Sequence, residues 1–340
     1  MNIEYLCNMK KYVLAAMAAV ALMAGCKNDF DVMADYQDIT VVYGLLNQND
    51  TAHYIKINKA YLGEGNAFLM ADVADSVNYQ VTDISARLEE YNNSTLTNTF
   101  PLTRTVNEIA KDTGLFASDA NILYKTTATL NPQRTYKLVI DNNKTGKTIT
   151  ANTPMIDNLN VTNPQNNQLV NIVGNNNAQY TASFKSAKNA LVYSMLIRFF
   201  YSDYNTATND STVHSLDLTF PNLKSSNANG GETLLIPVNP DALFQLLAAN
   251  LGAPGINIER HTNGMRFIFY AGGEDLSTYL DVNGPSNTLQ QEKPEYTNIN
   301  GGLGIFSCRY NKTVQNISLS PQSLDSLLNG RFTDQLGFTK

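Results

Sequence analysis

Three features of the 340-residue sequence predict a mainly β fold. From Ile39 onward, apolar and polar residues alternate in short runs separated by Asn, Asp and Gly, the pattern of half-buried strands joined by turns. The most apolar stretch of the folded part, Leu191 to Tyr201, is rich in β-branched and aromatic side chains, which suit a pleated surface better than a helix. Strong helix signals occur around Asn239 to Gly252, with weaker ones near Asp275 and Ser320. The prediction is an N-terminal Ig-like β-sandwich over residues 39–155, followed by a β-rich α+β domain with one or two short helices over residues 156–340.

In the first half, Ile39, Val41 and Tyr43 share one face of a strand that ends before Gly44, and Asn47 to Asp50 form a turn. His53, Ile55 and Ile57 alternate with Tyr54, Lys56 and Asn58, and a slip of parity between Ile57 and Ala60 predicts a β-bulge. Residues 63–75 read as a longer loop or a single helical turn. Further strands are expected at Val77–Val81, Ile84–Leu88, Phe100–Val106, Ile122–Leu130, Tyr136–Ile140 and Lys147–Ala151. The last two flank Asp141 to Gly146, whose residues suit a hairpin loop. Roughly seven or eight strands separated by turns fit an Ig-like sandwich.

In the second half, the Asn- and Gln-rich stretch Asn158–Gln179 reads as a linker or first edge, and Tyr180–Phe184 as a strand. Leu191–Tyr201 carries bulky residues on both parities, which predicts a strand buried on both faces at the centre of this domain. Strands follow at His214–Phe220 and Met265–Tyr270. Asn239 can cap a helix, Pro240 suits its first turn, Asp241 faces the positive end of the dipole, and Leu243, Leu247 and Leu251 make an apolar stripe ending at Gly252. Asp275–Leu280 reads as a helical turn and Ser320–Leu328 as a last short helix.

The N-terminal stretch predicts location. Lys10 and Lys11 precede an apolar run from Tyr12 to Met23, and Ala24-Gly25 lead into Cys26. A basic start, a short apolar centre and small residues before a cut describe a secretory signal, since a bilayer span needs ~20 residues. Met23 to Cys26 resembles the lipobox of bacterial lipoproteins, in which the cysteine thiol is alkylated with diacylglycerol and the new amine is acylated after cleavage. Residues 1–25 are thus read as a lipoprotein signal, with Met1 or Met9 as its start, and 26–38 as an acylated tether. Each buried methylene adds ~0.8 kcal/mol of membrane affinity, so an acylated Cys26 would hold the chain on a lipid bilayer.

The formal net charge of −6 becomes −7 once Lys10, Lys11 and Glu4 are removed with the signal, a balance that argues against a nucleic-acid partner. With Cys7 removed and Cys26 acylated, Cys308 has no partner for an intramolecular disulfide.

The stretch Glu292 to Phe306 contains Thr297-Asn298-Ile299, then Gly301, Gly302, Gly304 and Phe306, and Thr135 to Pro154 follows a looser pattern ending in Thr153-Pro154. These elements resemble an uncharacterised family of Bacteroidota outer-membrane lipoproteins, domain of unknown function 4249. The resemblance implies an envelope location, surface-exposed or periplasm-facing, and neighbours that include TonB-dependent receptors; it implies no activity, cofactor or metal. The leading expectation is a non-enzymatic, membrane-anchored lipoprotein that binds an extracellular ligand or a TonB-dependent receptor or other envelope protein. The alternative is a structural or adhesive surface component without a small-molecule ligand.

The chemistry-bearing residues favour ordinary roles. Gly301, Gly302 and Gly304 lack the Lys-Ser/Thr of a phosphate loop and are expected in a turn entering a strand. His53, His214 and His261 never stand at a metal-ligand spacing. Asp203, Asn205, Asn209 and Asp210 could ligate Ca²⁺, but lack the glycine and terminal glutamate of an EF-hand, so a solvated loop is the plainer reading. Glu89 and Glu90 should point to opposite faces of a strand and so cannot act as an acid–base couple. Cys308 reads as a small core residue. With 18 Tyr and no Trp, exposed tyrosines are candidates for stacking on a ligand. Asp50-Thr51-Ala52, Asp75-Ser76-Val77 and Asp210-Ser211-Thr212 are similar to short O-glycosylation sites.

Overall fold

The computed structural model describes residues 38–60, 77–111, 120–174, 179–284 and 295–340. The signal at 1–25, Cys26, the tether up to residue 37, the loop expected at 63–75 and the stretch 292–294 lie outside them.

The first eight strands are β1 (Ile39–Leu46), β2 (His53–Ala60), β3 (Ile84–Asn92), β4 (Thr95–Pro101), β5 (Thr103–Val106), β6 (Ile122–Thr126), β7 (Thr135–Asn142) and β8 (Thr148–Pro154). They form two layers, one in the order β1-β2-β6-β5 and one in the order β4-β3-β7-β8. Between them lie Val42, Leu46, Ile55 and Ile57 from one layer and Leu88, Tyr136, Leu138, Ile140 and Ile149 from the other, all at most 2 % exposed. The chain changes layer at Leu102, a buried residue whose N–H bonds to Ala86 O, so the single strand expected over Phe100–Val106 is two. Three other expectations fail. Residues 77–81 form no strand. Ile39, Val41 and Tyr43 do share a face, but β1 runs on through Gly44 to Leu46, and its buried face is Thr40, Val42, Gly44 and Leu46, with Tyr43 exposed. Apolar residues occupy both parities here, so local pattern did not choose the face. The β1–β2 register is unbroken from Ile39↔Ala60 to Gly44↔Ile55, without the predicted bulge, because Asn58 to Ala60 simply reach the less buried end of the strand.

The rest of the chain supplies β9 (Asn160–Asn163), β10 (Leu169–Val170), β11 (Tyr180–Lys185), β12 (Val192–Asn205), β13 (Asp210–Thr219), β14 (Leu223–Lys224), β15 (Thr233–Val238), β16 (Ile258–Gly272) and β17 (Gly302–Leu319). Among the described residues there are three α-helices, α1 (Pro240–Asn250), α2 (Glu274–Asn283) and α3 (Pro321–Asn329), one more than expected. Asn239 caps α1 by accepting from Asp241 N, and Ser320 caps α3 by accepting from Ser323 N, as the sequence indicates.

The expected division at residues 155/156 does not separate the sheets. A ten-stranded sheet runs β13-β12-β16-β17-β1-β2-β6-β5, with β10 and β14 attached at its side, and so draws strands from both sides of that boundary. The join is the parallel pair β1–β17, in register from Thr40↔Gly302 to Leu46↔Cys308. A three-stranded sheet, β15-β11-β9, packs on the part of the large sheet formed by β12 and β16. Phe184 sits 5.4 Å, ring to ring, from both Tyr193 and Phe269 there. One continuous core results.

The strand buried on both faces is not the predicted one. In β12, Tyr193, Met195, Ile197 and Phe199 are buried, while Ser194, Leu196, Arg198 and Phe200 on the other face are only half covered. Arg198 there pairs with Asp217, and Phe200 lies under Arg266. Burial on both faces belongs instead to Gly304–Cys308 of β17, against which α2 packs. No helix among the described residues is long and apolar enough to cross a membrane.

Candidate functional site

The glycines before and within β17 have a backbone role. Gly301 and Gly304 have φ of +81° and +106°. A Cβ on Gly304 would stand 2.0 Å from Val42 O, and one on Gly302 would stand 2.6 Å from Thr40 O. The parallel partner β1 approaches too closely for side chains. Asn298 completes the element: its side chain donates to Phe306 O at 2.7 Å and accepts from Phe306 N at 2.9 Å. The TNI-x-G-G-x-G-x-F residues therefore build the seam of the large sheet.

His53 is buried, with Nε2 bonded to Ala128 O. His214 stacks on Tyr201, 3.8 Å from Asp203, and His261 meets Thr339. Although β12–β13–β16 pairing brings His214 and His261 to one end of the sheet, no group of three or more His, Cys, Asp or Glu with metal-site geometry occurs among the described residues. The Asp and Asn residues expected in a loop are consumed by structure: Asp203 and Asn205 lie within β12 and Asp210 opens β13. Asp203 pairs with Arg260, Asn205 Oδ1 accepts from Ala207 N and Thr208 N, and Asn209 takes φ +60° in the turn. Glu89 pairs with Arg87 and accepts from Tyr91, whereas Glu90 is buried on the other face with Tyr136, Thr97 and Asn98. Thr51, Ser211 and Thr212 are exposed on turns or strand ends, while Asp75-Ser76 lies outside the described residues.

Two adjoining cavities occupy the region where β8 leads into the second half. The larger, about 450 Å³, is lined by Tyr91–Asn93 at the end of β3, Pro132–Thr135 leading into β7, and Pro154, Asp157, Lys188 and Asn189. Its walls are fixed by hydrogen bonds: Arg134 donates to Asn92 Oδ1 at 2.9 Å, Asp157 N to Lys188 O at 3.1 Å, and Asn189 Nδ2 to Met155 O at 2.8 Å. Asn93 and Asn189 both adopt positive φ, which asparagine tolerates in turns.

The smaller cavity, about 110 Å³, shares Pro154 and Asn189 with the first and reaches Thr153, Gly273, Glu274, Asp275, Ser307 and Cys308. Burial pushes the Cys308 thiol up to about 11, so it is neutral at physiological pH, and it donates to Pro154 O at 3.0 Å. Burial and the Asp275 carboxylate raise the Tyr296 phenol to about 12, and it remains a donor to Asp275. The N-cap of α2 is Gly273, which provides no side-chain cap.

No protein-family model matches the chain, and no curated protein matches it. Among solved structures, the chain is similar to the C-terminal globular domain of an oligosaccharyltransferase from Pyrococcus abyssi, at 10% identity and a TM-score of 0.25, over 68% of this chain. That match spans 46% of the other protein, less than half its length.

The large cavity offers amides, a tyrosine, one guanidinium, one ammonium and the Asp157 carboxylate, a set suited to hydrogen-bonding a polar ligand. Of the residues lining the two cavities, sequence reasoning had weighed for a chemical role only Cys308 and the general class of tyrosines. The lining is gathered from positions between 91 and 308, so no local spacing could reveal it.

Proposed function

We propose that the protein is a membrane-anchored envelope lipoprotein whose folded part is a non-enzymatic binding module, held by acylated Cys26 and engaging an extracellular ligand or a TonB-dependent receptor. The observation that carries the binding part is the groove of about 450 Å³, with Arg134, Lys188 and four side-chain amides along its wall. The groove lies where β8 leads into the second half of the chain, with lining from both sides of that point. The strand orders β1-β2-β6-β5 and β4-β3-β7-β8 correspond to the two sheets of an Ig-type sandwich, and Tyr136 near the start of β7 bonds Asn131 N five residues upstream, like the tyrosine corner of that fold. These features support the Ig-like reading of the first half.

The tagged full chain, recovered from native membranes, should co-purify with an envelope protein or retain a ligand from glycan or peptide arrays. The Arg134→Ala/Lys188→Ala double variant should lose that capture. Capture of nothing, or capture indifferent to both substitutions, would remove the groove as the binding site. The anchor is tested separately: Cys26→Ser should leave the protein uncleaved or soluble, and finding that variant still acylated and membrane-bound would overturn the lipoprotein reading.

A further inference from the structure

The groove of about 450 Å³ holds two cations that the fold does not neutralise. Arg134 donates to the Asn92 amide at 2.9 Å, and neither Arg134 nor Lys188 forms an ion pair among the described residues. The one carboxylate of the wall, Asp157, accepts from Asn158 N through Oδ1 at 2.7 Å, which leaves Oδ2 as a further acceptor. The wall thus carries one positive charge in excess, and one of its cations is a guanidinium, whose planar fork matches a carboxylate. The neutral part of the wall both donates and accepts. Asn93 and Gln133 present whole amides, Asn92 keeps its amide N–H groups, and Asn189, with Nδ2 bound to Met155 O, keeps its carbonyl. Tyr91 lines the groove half-buried with its hydroxyl tied to Glu89 at 2.8 Å, so the ring is its main offering to a ligand.

We propose that the groove binds a saccharide bearing a carboxylate, with Arg134 and Lys188 meeting the acid, the amides and Asp157 meeting the hydroxyls, and Tyr91 offering its ring to the sugar's C–H face. The inference rests on the reading of the groove as a binding site and names its ligand. Each sugar hydroxyl donates and accepts, as the amides of this wall do, and an aromatic ring is a flat apolar surface for the C–H groups between them. An extended peptide is served less well. The walls come from the end of β3, the turn before β7 and the turn between β11 and β12, and none of these is an unpaired strand edge whose ladder a peptide could join. A phosphorylated ligand would bring nearly two negative charges towards Asp157, whereas a carboxylate brings one, the excess that the wall can neutralise.

The test is an array of galacturonate, glucuronate and guluronate oligosaccharides and sialylated glycans, each printed beside the same compound with its carboxylates reduced to alcohols. The tagged full chain should favour the acidic member of at least one pair by roughly tenfold or more, the low end for hydrogen bonds to a charged group. That preference should weaken as salt is raised, and fall in Arg134→Gln and in Lys188→Gln. Lys188 is exposed and its side chain makes no hydrogen bond or ion pair among the described residues, so Lys188→Gln keeps the test decisive should Arg134→Gln fail to fold. An acidic preference that both variants retain would place the anion elsewhere and overturn the assignment. Equal binding of both members of every pair, lost with Arg134→Gln, would refute carboxylate recognition and leave the groove standing. Binding of no saccharide, with peptide ligands still held through Arg134, would refute the ligand class and again leave the groove. No retention of any ligand would sink both readings.

Discussion

The close contact between Gly304 and β1 gives the sharpest test of the architecture. At φ +106°, an alanine at this position is strained by ~1–3 kcal/mol before any contact is considered. Its Cβ would then stand 2.0 Å from Val42 O, well inside van der Waals contact, so β1 must retreat. Val42 is fully buried, and the parallel register around it joins the two halves of the large sheet. Losing one or two of those backbone bonds costs ~0.5–1.5 kcal/mol each. Gly304→Ala should therefore destabilise the protein by about 1.5–6 kcal/mol. Gly301→Ala is the internal control: φ is +81°, but the nearest atom to its Cβ, Thr148 O, is 3.7 Å away, so only the strain of ~1–3 kcal/mol applies. Urea unfolding followed by far-ultraviolet circular dichroism gives both values from the midpoint and slope. A Gly304→Ala protein within ~1 kcal/mol of the wild type, or no less stable than Gly301→Ala, would show that the β1–β17 seam is not as close as described.

Two further predictions concern buried polar groups. Burial works against the charge of Glu90, but hydrogen bonds from Tyr136, Thr97 and Asn98 outweigh it and hold the carboxyl below the usual range. A depressed carboxylate stabilises in full above its unfolded pKa of ~4.3 and loses that contribution as pH falls through the folded value. Wild-type stability should thus decline more steeply below about pH 4.3 than that of Glu90→Gln, and parallel acid profiles would contradict this. Tyr136→Phe removes the 2.6 Å donor to Glu90 and should cost ~1.5–3 kcal/mol at neutral pH in the same unfolding assay. Arg260 is 8 % exposed and donates to Asp203, Gly252 O and Leu336 O, so Arg260→Ala should cost ~3–5 kcal/mol. The half-exposed pair Arg198–Asp217 should contribute under ~1 kcal/mol, and an Arg198→Ala variant as damaging as Arg260→Ala would reverse that ranking.

Much of the local structure was legible because its causes are local. The caps at Asn239 and Ser320 satisfy helix N–H groups two or three residues away, and the loop from Asp141 to Gly146 closes on the Asn142 side chain. Period-two alternation located most strands. It could not choose the buried face of β1, where both faces carry apolar residues, nor separate β4 from β5, since the change of layer at Leu102 is a tertiary event.

The sequence by itself determined a mainly β chain, its principal capped helix, and the glycines that a close backbone approach would require. Only the tertiary structure decided that the partner making that approach is β1, more than two hundred and fifty residues away in the chain. The same pairing carries the large sheet across residue 155 and buries both faces of β17 over Gly304–Cys308, where β12 has only one face buried. It also set Ser307 and Cys308 beside Pro154 and the start of α2, forming a cavity whose members share no local pattern. The physical reason is the same in each case: periodicity and capping are interactions between near neighbours, whereas sheet pairing and cavities are set by which distant surfaces bury one another.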